Sequence, residues 1–167
     1  MIFKASATGV IDIAGRAARC ALGKGGVKAA ADKREGDGAS PIGVWPIRRV
    51  LFRPDRGVAP ATALAAAPIA QDDGWCDAPA DPAYNRPVKL PHPASAEHMW
   101  MASHVYDLVV VLGHNDDPVV PQMGSAIFLH LATPDYGPTA GCVAVSRPDM
   151  LDILAHARPG DAVEIAA

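Results

Sequence analysis

The chain has 167 residues, half of them apolar, which is enough for one domain (1–167) whose core needs no disulfide. Sixteen prolines, 15 glycines and few aromatics favour short strands joined by turns over a helical bundle. A net charge of −3 with no basic–aromatic array leaves no footprint for nucleic acid, and no apolar run is long enough to span a bilayer.

In chain order, residues 2–6 and 10–13 read as a hairpin about Thr8-Gly9, and 16–22 continue as a third strand. Gly23 to Val27 lacks the spacing of a phosphate loop and reads as a turn. A turn-rich segment, 33–43, precedes a strand over 44–52. Residues 53–94 are rich in Pro, Ala and Asp with little periodicity. A loop of that length shapes a binding site more often than it merely links elements, and Trp75, Tyr84 and Asn85-Arg86 predict that it is ordered. Ser95 is positioned to cap a short helix over 96–101. Strands are then expected at 106–112, 126–131 and 142–145. Residues 148–157 have helical spacing, with Met150, Ile153 and Leu154 on one face and Ser146 or Asp149 near the start. A last strand falls at 162–165. The expected class is mainly β, in mixed sheets, with one or two short helices.

Charge is unevenly divided. Residues 1–56 hold eleven Lys/Arg against five Asp/Glu, and 57–167 hold four against thirteen. The basic residues are spread along strands, so the simpler expectation is that the two halves attract each other across one domain; a basic patch for an anionic polymer is the alternative. Three cysteines cannot all pair within the chain. Cys20, in a strand, and Cys76, beside Trp75 in the long loop, read as structural thiols.

The third thiol is different. Cys142, in Thr139-Ala140-Gly141-Cys142-Val143-Ala144-Val145, follows His130, in Ala126-Ile127-Phe128-Leu129-His130-Leu131, by twelve residues. Two strand-like runs separated by turn formers place a thiol beside an imidazole if the strands are neighbours. Such a pair is a nucleophile and base for acyl transfer. No acid adjoins His130, so a backbone carbonyl, that of Leu131, is the candidate to orient its ring. The amides of Ala140, Gly141 and Cys142 are candidate oxyanion donors. Tyr84, Arg86, His114, Asn115 and Thr139 are candidates for substrate binding, Arg86 because a guanidinium grips carboxylates in bidentate fashion.

Three blocks together resemble the L,D-transpeptidase catalytic domain (YkuD-like) family. They are Lys-Arg-Glu-Gly-Asp-Gly-Ala-Ser-Pro-Ile-Gly at 33–43, Gly-Ser-Ala-Ile-Phe-Leu-His at 124–130, and Pro-Thr-Ala-Gly-Cys-Val-Ala at 138–144. They resemble, in order, the family's early hairpin, the strand of its base and the strand of its nucleophile, over about residues 30 to 165. Ala140 stands where most members carry His or Lys, and Ala144 where most carry Arg, which marks a short variant branch. The resemblance implies a YkuD-like β-sandwich and transfer of an acyl group from the diaminopimelate carbonyl of a peptidoglycan stem peptide to an amine of a second stem. That amine is diaminopimelate or the position-1 L-Ala, giving 3-3 or 1-3 crosslinks. It further implies Cys142 as nucleophile, His130 as base then acid, no metal or organic cofactor, carbapenem-type inhibitors, a monomer and action in the periplasm, although the start of the chain lacks the pattern of a secretion signal.

Rival readings stay open at this level. Water as acceptor makes the protein an L,D-carboxypeptidase or amidase. A non-catalytic wall-binding module has no use for the thiol. A metal hydrolase would recruit His92, His98, His104 and His114 with Asp116 or Asp117, but none has the helical two-His spacing of zinc enzymes.

Overall fold

The computed structural model describes all 167 residues. Its strands are β1 (Ile2–Ser6), β2 (Val10–Ile13), β3 (Arg16–Ala21), β4 (Val27–Ala29), β5 (Ser40–Phe52), β6 (Ala66–Pro68), β7 (Asp73–Cys76), β8 (Pro87–Lys89), β9 (Ala96–His98), β10 (Leu108–Leu112), β11 (Phe128–Leu131), β12 (Val143–Val145) and β13 (Ala162–Ala166). One helix, α1 (Arg147–His156), and a single 3-10 turn (Ala30–Asp32) complete the mainly β architecture. No helix is long and apolar enough to cross a membrane.

The central sheet runs β10-β11-β12-β3-β2-β1-β13-β5-β4, with β6 beside β5. It turns back on itself because β5 is long enough to serve two neighbours. Gly43–Pro46 pair with β13, while residues 47–52 pair with β10. One strand thus belongs to two layers, as in sandwiches whose strands switch sheets at a bend. The interior is filled by Phe3, Ile11, Ile13, Val110, Leu129, Val143 and Ile165, and α1 closes it with Met150, Ile153 and Leu154. Helix α1 starts where Ser146 Oγ accepts from the Asp149 amide at 3.2 Å, with Pro148 in the first turn.

Two sequence expectations fail here. Residues 96–101 form no helix: β9 (Ala96–His98) pairs with β7, with Trp75 opposite Glu97. The helical reading failed because a six-residue segment carries too little periodicity to separate the two states. Cys76 lies at the end of β7 rather than in a loop. Strands β6, β7 and β8 all fall within 53–94, and β8-β7-β9 make a separate three-stranded sheet. Beneath it, on the outer face of β10–β12, Trp75, Met99, Tyr106, Val109, Val111 and Phe128 pack into a second apolar cluster.

The uneven charge is spent on joining the halves. Lys4 pairs with Glu164, Arg16 with Asp149 and Asp152, Arg48 with Asp116, and Arg56 with Asp107.

Candidate active site

Strands β11 and β12 are parallel neighbours, with His130 opposite Ala144. Side chains alternate across a strand, so Phe128, His130, Cys142 and Ala144 share the outer face of the sheet. Cys142 and His130 line one cavity of about 390 Å³ with Glu35, Asp77, Glu97 and Tyr106. Met101, Val105, Ser125, Ala126, Thr139 and Ala140 complete its wall.

The thiol is held from both sides. Its Sγ accepts from the Phe128 amide at 3.4 Å and donates to the Ala126 carbonyl at 3.2 Å. Ala126 turns that carbonyl inward through a left-handed backbone, φ 52°. Its amide is fixed by Asn85 Oδ1 at 3.0 Å, and Asn85 Oδ1 also takes Trp75 Nε1 at 2.9 Å. The Cys142 carbonyl accepts from Thr139 Oγ1 at 2.7 Å and Ser40 Oγ at 3.2 Å.

Gly141 is obligatory for a backbone reason. Its φ is +137°, and a Cβ there would sit 2.9 Å from the Ala39 carbonyl oxygen. The segment 33–43 is therefore pressed against the nucleophile strand. Asp37 organises it, receiving Lys33 Nζ at 2.6 Å and the Ala39 and Arg34 amides at 2.9 Å each. These bonds hold the Asp37 carboxyl far below the ordinary carboxylate range against its burial.

His130 Nδ1 lies 2.9 Å from the Leu131 carbonyl. A carbonyl only accepts, so Nδ1 carries the proton and Nε2 is the free basic nitrogen. The ring packs edge-on against Tyr106, centroids 5.3 Å apart. Burial lowers the imidazole pKa below its ordinary value, opposed by the Leu131 carbonyl. Burial also pushes the Cys142 thiol up to about 12, and the Glu97 carboxylate adds to the shift. Both shifts favour neutral thiol and neutral imidazole over an ion pair.

Of the expected oxyanion donors, Gly141 is engaged: its amide donates to Thr139 Oγ1 at 3.1 Å. The amides of Ala140 and Cys142 have no partner in the chain. Those two N–H groups flank the sulfur's own backbone.

Four expected substrate contacts lie elsewhere. Tyr84 is buried behind the cavity, donating to Glu35 Oε2 at 2.5 Å and receiving the Gly124 amide at 3.0 Å. Arg86 lines a neighbouring cavity and donates to the Asp116 carbonyl at 2.6 Å. His114 is packed edge-on against Trp45. Asn115 ties its own loop by bonding Val120 and Gly124. Among these residues only Thr139 reaches the cavity. All four sit in polar turns that resemble binding loops in sequence, yet Asn115 ties local backbone, Tyr84 and Arg86 reach partners distant in sequence, and the buried His114 Nδ1 has no hydrogen-bond partner.

An acidic wall is what the sequence reading missed. Glu35 is held by Tyr84 and by Ser125 Oγ at 2.8 Å, and Glu97 by Tyr106 Oη at 2.6 Å. With Asp77 they give the cavity three carboxyls and no lysine or arginine. Glu97 was hidden by the helical reading of 96–101, and Glu35 sits inside the hairpin block without marking itself as a site residue.

Searches of curated proteins and of solved structures return no match. A family model does match: the L,D-transpeptidase catalytic domain, YkuD, over residues 11–165. That is nearly the whole chain, from β2 to β13, and it starts earlier than the three sequence blocks do. With its mixed β-sandwich and single helix, the chain belongs to the L,D-transpeptidase catalytic domain family, whose members are generally cysteine-dependent and act on peptidoglycan stem peptides.

Proposed function

We propose that the protein is a peptidoglycan L,D-transpeptidase in which Cys142 is the nucleophile and His130 the general base. One observation carries this reading. Sulfur, a tautomerically fixed imidazole and two unpaired amides all belong to one cavity.

Because the resting thiol is neutral, its proton leaves as attack begins. The S–H turns from the Ala126 carbonyl to His130 Nε2, which takes the proton while Sγ bonds to the diaminopimelate carbonyl carbon of the donor stem. The oxyanion that forms is stabilised by the Ala140 and Cys142 amides. Collapse breaks the C–N bond to the terminal D-Ala, which leaves with the proton from His130. An amine of a second stem then attacks the thioester, gives its proton to His130 and releases the Cys142 thiol. The Leu131 carbonyl keeps the ring oriented throughout.

The acidic wall supports an amine as acceptor. Glu35, Asp77 and Glu97 favour a substrate group that arrives as an ammonium, which diaminopimelate and an N-terminal L-Ala both offer, and which releases one proton to water before the free amine attacks. An ammonium beside Glu97 also offsets the charge that holds the thiol proton in place. Such a substrate places the protein's action outside the cytoplasmic membrane, in the periplasm.

Muropeptides incubated with the purified protein and analysed by mass spectrometry test the reading. Dimers with D-Ala released are expected, and fragmentation identifies the joined amine. Shortened monomers alone would assign hydrolysis instead. Unchanged turnover in Cys142→Ala would remove Cys142 as nucleophile, and stem-peptide binding without any product would leave a binding module as the better description. A carbapenem is expected to acylate Cys142 and to spare Cys20 and Cys76.

A further inference from the structure

We propose a second site in this chain: Cys76, Asp81 and His92 bind one divalent zinc-class ion, which clips the long loop together behind the active-site wall. Sγ of Cys76, a carboxylate oxygen of Asp81 and a ring nitrogen of His92 all lie within 4.8 Å of one another. Asp81 Oδ2 is 3.3 Å from His92 Nε2. Two such ligand atoms on a tetrahedral zinc stand roughly 3.3–3.6 Å apart, given ordinary Zn–N, Zn–O and Zn–S bond lengths. Small side-chain movements complete the set, and a fourth position remains for water.

Three further features favour an ion over a structural accident. His92 Nε2 is buried with no hydrogen-bond partner, an expense that a bound cation removes. Cys76 is fully buried, and its sulfur lies within 4.8 Å of the Asp81 carboxylate and the His92 ring nitrogen. A sulfur, nitrogen and oxygen donor set selects a zinc-like ion over magnesium or calcium, which prefer all-oxygen ligands. His92 also lines a cavity of about 550 Å³ with Gln71, Leu90 and His98, which gives an ion a path from solvent.

The same residues do not make a second catalytic triad. In a triad the carboxylate and the thiol face opposite ring nitrogens. Here Asp81 faces Nε2, and the sulfur lies within 4.8 Å of both groups, so the three converge on one point. No surface of Cys76 is open to a substrate.

Position gives the site a purpose. Cys76 closes β7 and His92 follows β8, so the ion would fasten the segment that carries Asp81 between them. Across β7–β9, Cys76 pairs with Ala96 and Trp75 with Glu97. Asp77 and Glu97, immediate neighbours of this site, are two of the three carboxyls in the Cys142 cavity. Binding forms a metal–sulfur bond and releases the Cys76 proton to solvent, so affinity rises with pH.

The test uses the full chain, stripped with a chelator and titrated with Co²⁺ in the absence of oxygen. One equivalent is expected to produce a thiolate-to-cobalt charge-transfer band with the visible bands of a tetrahedral ion, both erased by Zn²⁺. Cys142→Ala is expected to keep this spectrum, and Cys76→Ser to lose it. His92→Gln and Asp81→Asn, which leave the thiol in place, are expected to weaken cobalt binding by more than about tenfold, as removing a ligand costs at least what removing its hydrogen-bonding neighbour does. Zn²⁺ should raise the Tm of the wild type and of Cys142→Ala, and not that of His92→Gln. A wild-type protein with no cobalt spectrum at stoichiometric metal overturns the site. So does a spectrum that disappears in Cys142→Ala and survives in Cys76→Ser. Neither result touches the transpeptidase reading, which is decided by muropeptide products.

Discussion

At the scale of single residues, the sulfur of Cys142 is set by opposing forces. Burial and Glu97 hold its proton on, while the Phe128 amide and Lys33 favour the thiolate. Without substrate, the thiol should therefore react slowly with iodoacetamide at neutral pH. Glu97→Gln removes the negative neighbour, lowers the thiol pKa and is expected to raise the alkylation rate of Cys142 several-fold at mildly alkaline pH. An unchanged rate would remove Glu97 from the electrostatics of the site. His130 carries the complementary expectation. Its pKa is held below the ordinary 6.5, so the imidazole stays a free base further into acid. The acid limb of kcat/KM should accordingly fall below 6.5. Sequence made Cys142 and His130 legible because reactive side chains in apolar runs stand out. Glu35, Asp77 and Glu97 did not, since an acidic residue in a polar segment reads as an ordinary solvated charge until the fold turns it inward.

Elements place these residues, and two of them can be tested by one change each. Gly141 lets the β12 approach pass against Ala39. Gly141→Ala puts a methyl into a backbone carbonyl at a φ that L-residues avoid. A loss of about 1–3 kcal/mol in unfolding free energy is expected from denaturant titration. Turnover should fall more steeply than stability, because Ala140 and Cys142 amides move with the same peptide units. Helix α1 is the milder case. Ser146 caps it and also donates to Asp149 Oδ2 at 2.6 Å, so Ser146→Ala should cost about 1 kcal/mol with activity retained. The start of α1 was readable from sequence to within a residue, with Ser146 one of two candidate caps, because capping chemistry is local. Strand β9 was not, because its conformation is fixed by pairing with β7, a partner about twenty residues away.

Across the whole molecule, pH sensitivity follows from what is buried neutral. Burial, then the positive charge of Lys33, lowers the His114 pKa to about 4 from 6.5. The unfolded chain therefore takes up a proton before the folded one does. Stability due to this group is full above about 6.5, falls as pH drops towards 4, and changes no further below that. The loss amounts to about 3 kcal/mol. His130 acts in the same direction, while Glu97, raised by burial, opposes both. His114→Phe isolates the His114 share: the slope of Tm between pH 7 and pH 4 is expected to flatten relative to wild type. A parallel slope would show that His114 already titrates freely. Asp107 shows how the distant parts are joined. It is buried and receives Arg56 at 2.8 Å and Arg147 at 3.0 Å, which tie the start of the long loop to β10 and α1.

By itself the sequence determined the class of the protein and the local chemistry of its turns, and it singled out Cys142 and His130 as a candidate pair. Alternating apolar runs, Gly and Pro punctuation and capping residues act over a few positions, whereas His130 and Cys142, twelve residues apart, share a face through the pairing of β11 with β12. Only the tertiary structure decided which polar residues face the sulfur. Tyr84, Arg86, His114 and Asn115 read as ligands along the chain and do not line the cavity that holds the sulfur. Glu35 and Glu97 looked unremarkable and line the cavity. The convergence of Cys76, Asp81 and His92 was likewise invisible along the chain. Such meetings depend on strand pairing and loop closure between segments distant in sequence, and no local pattern encodes them.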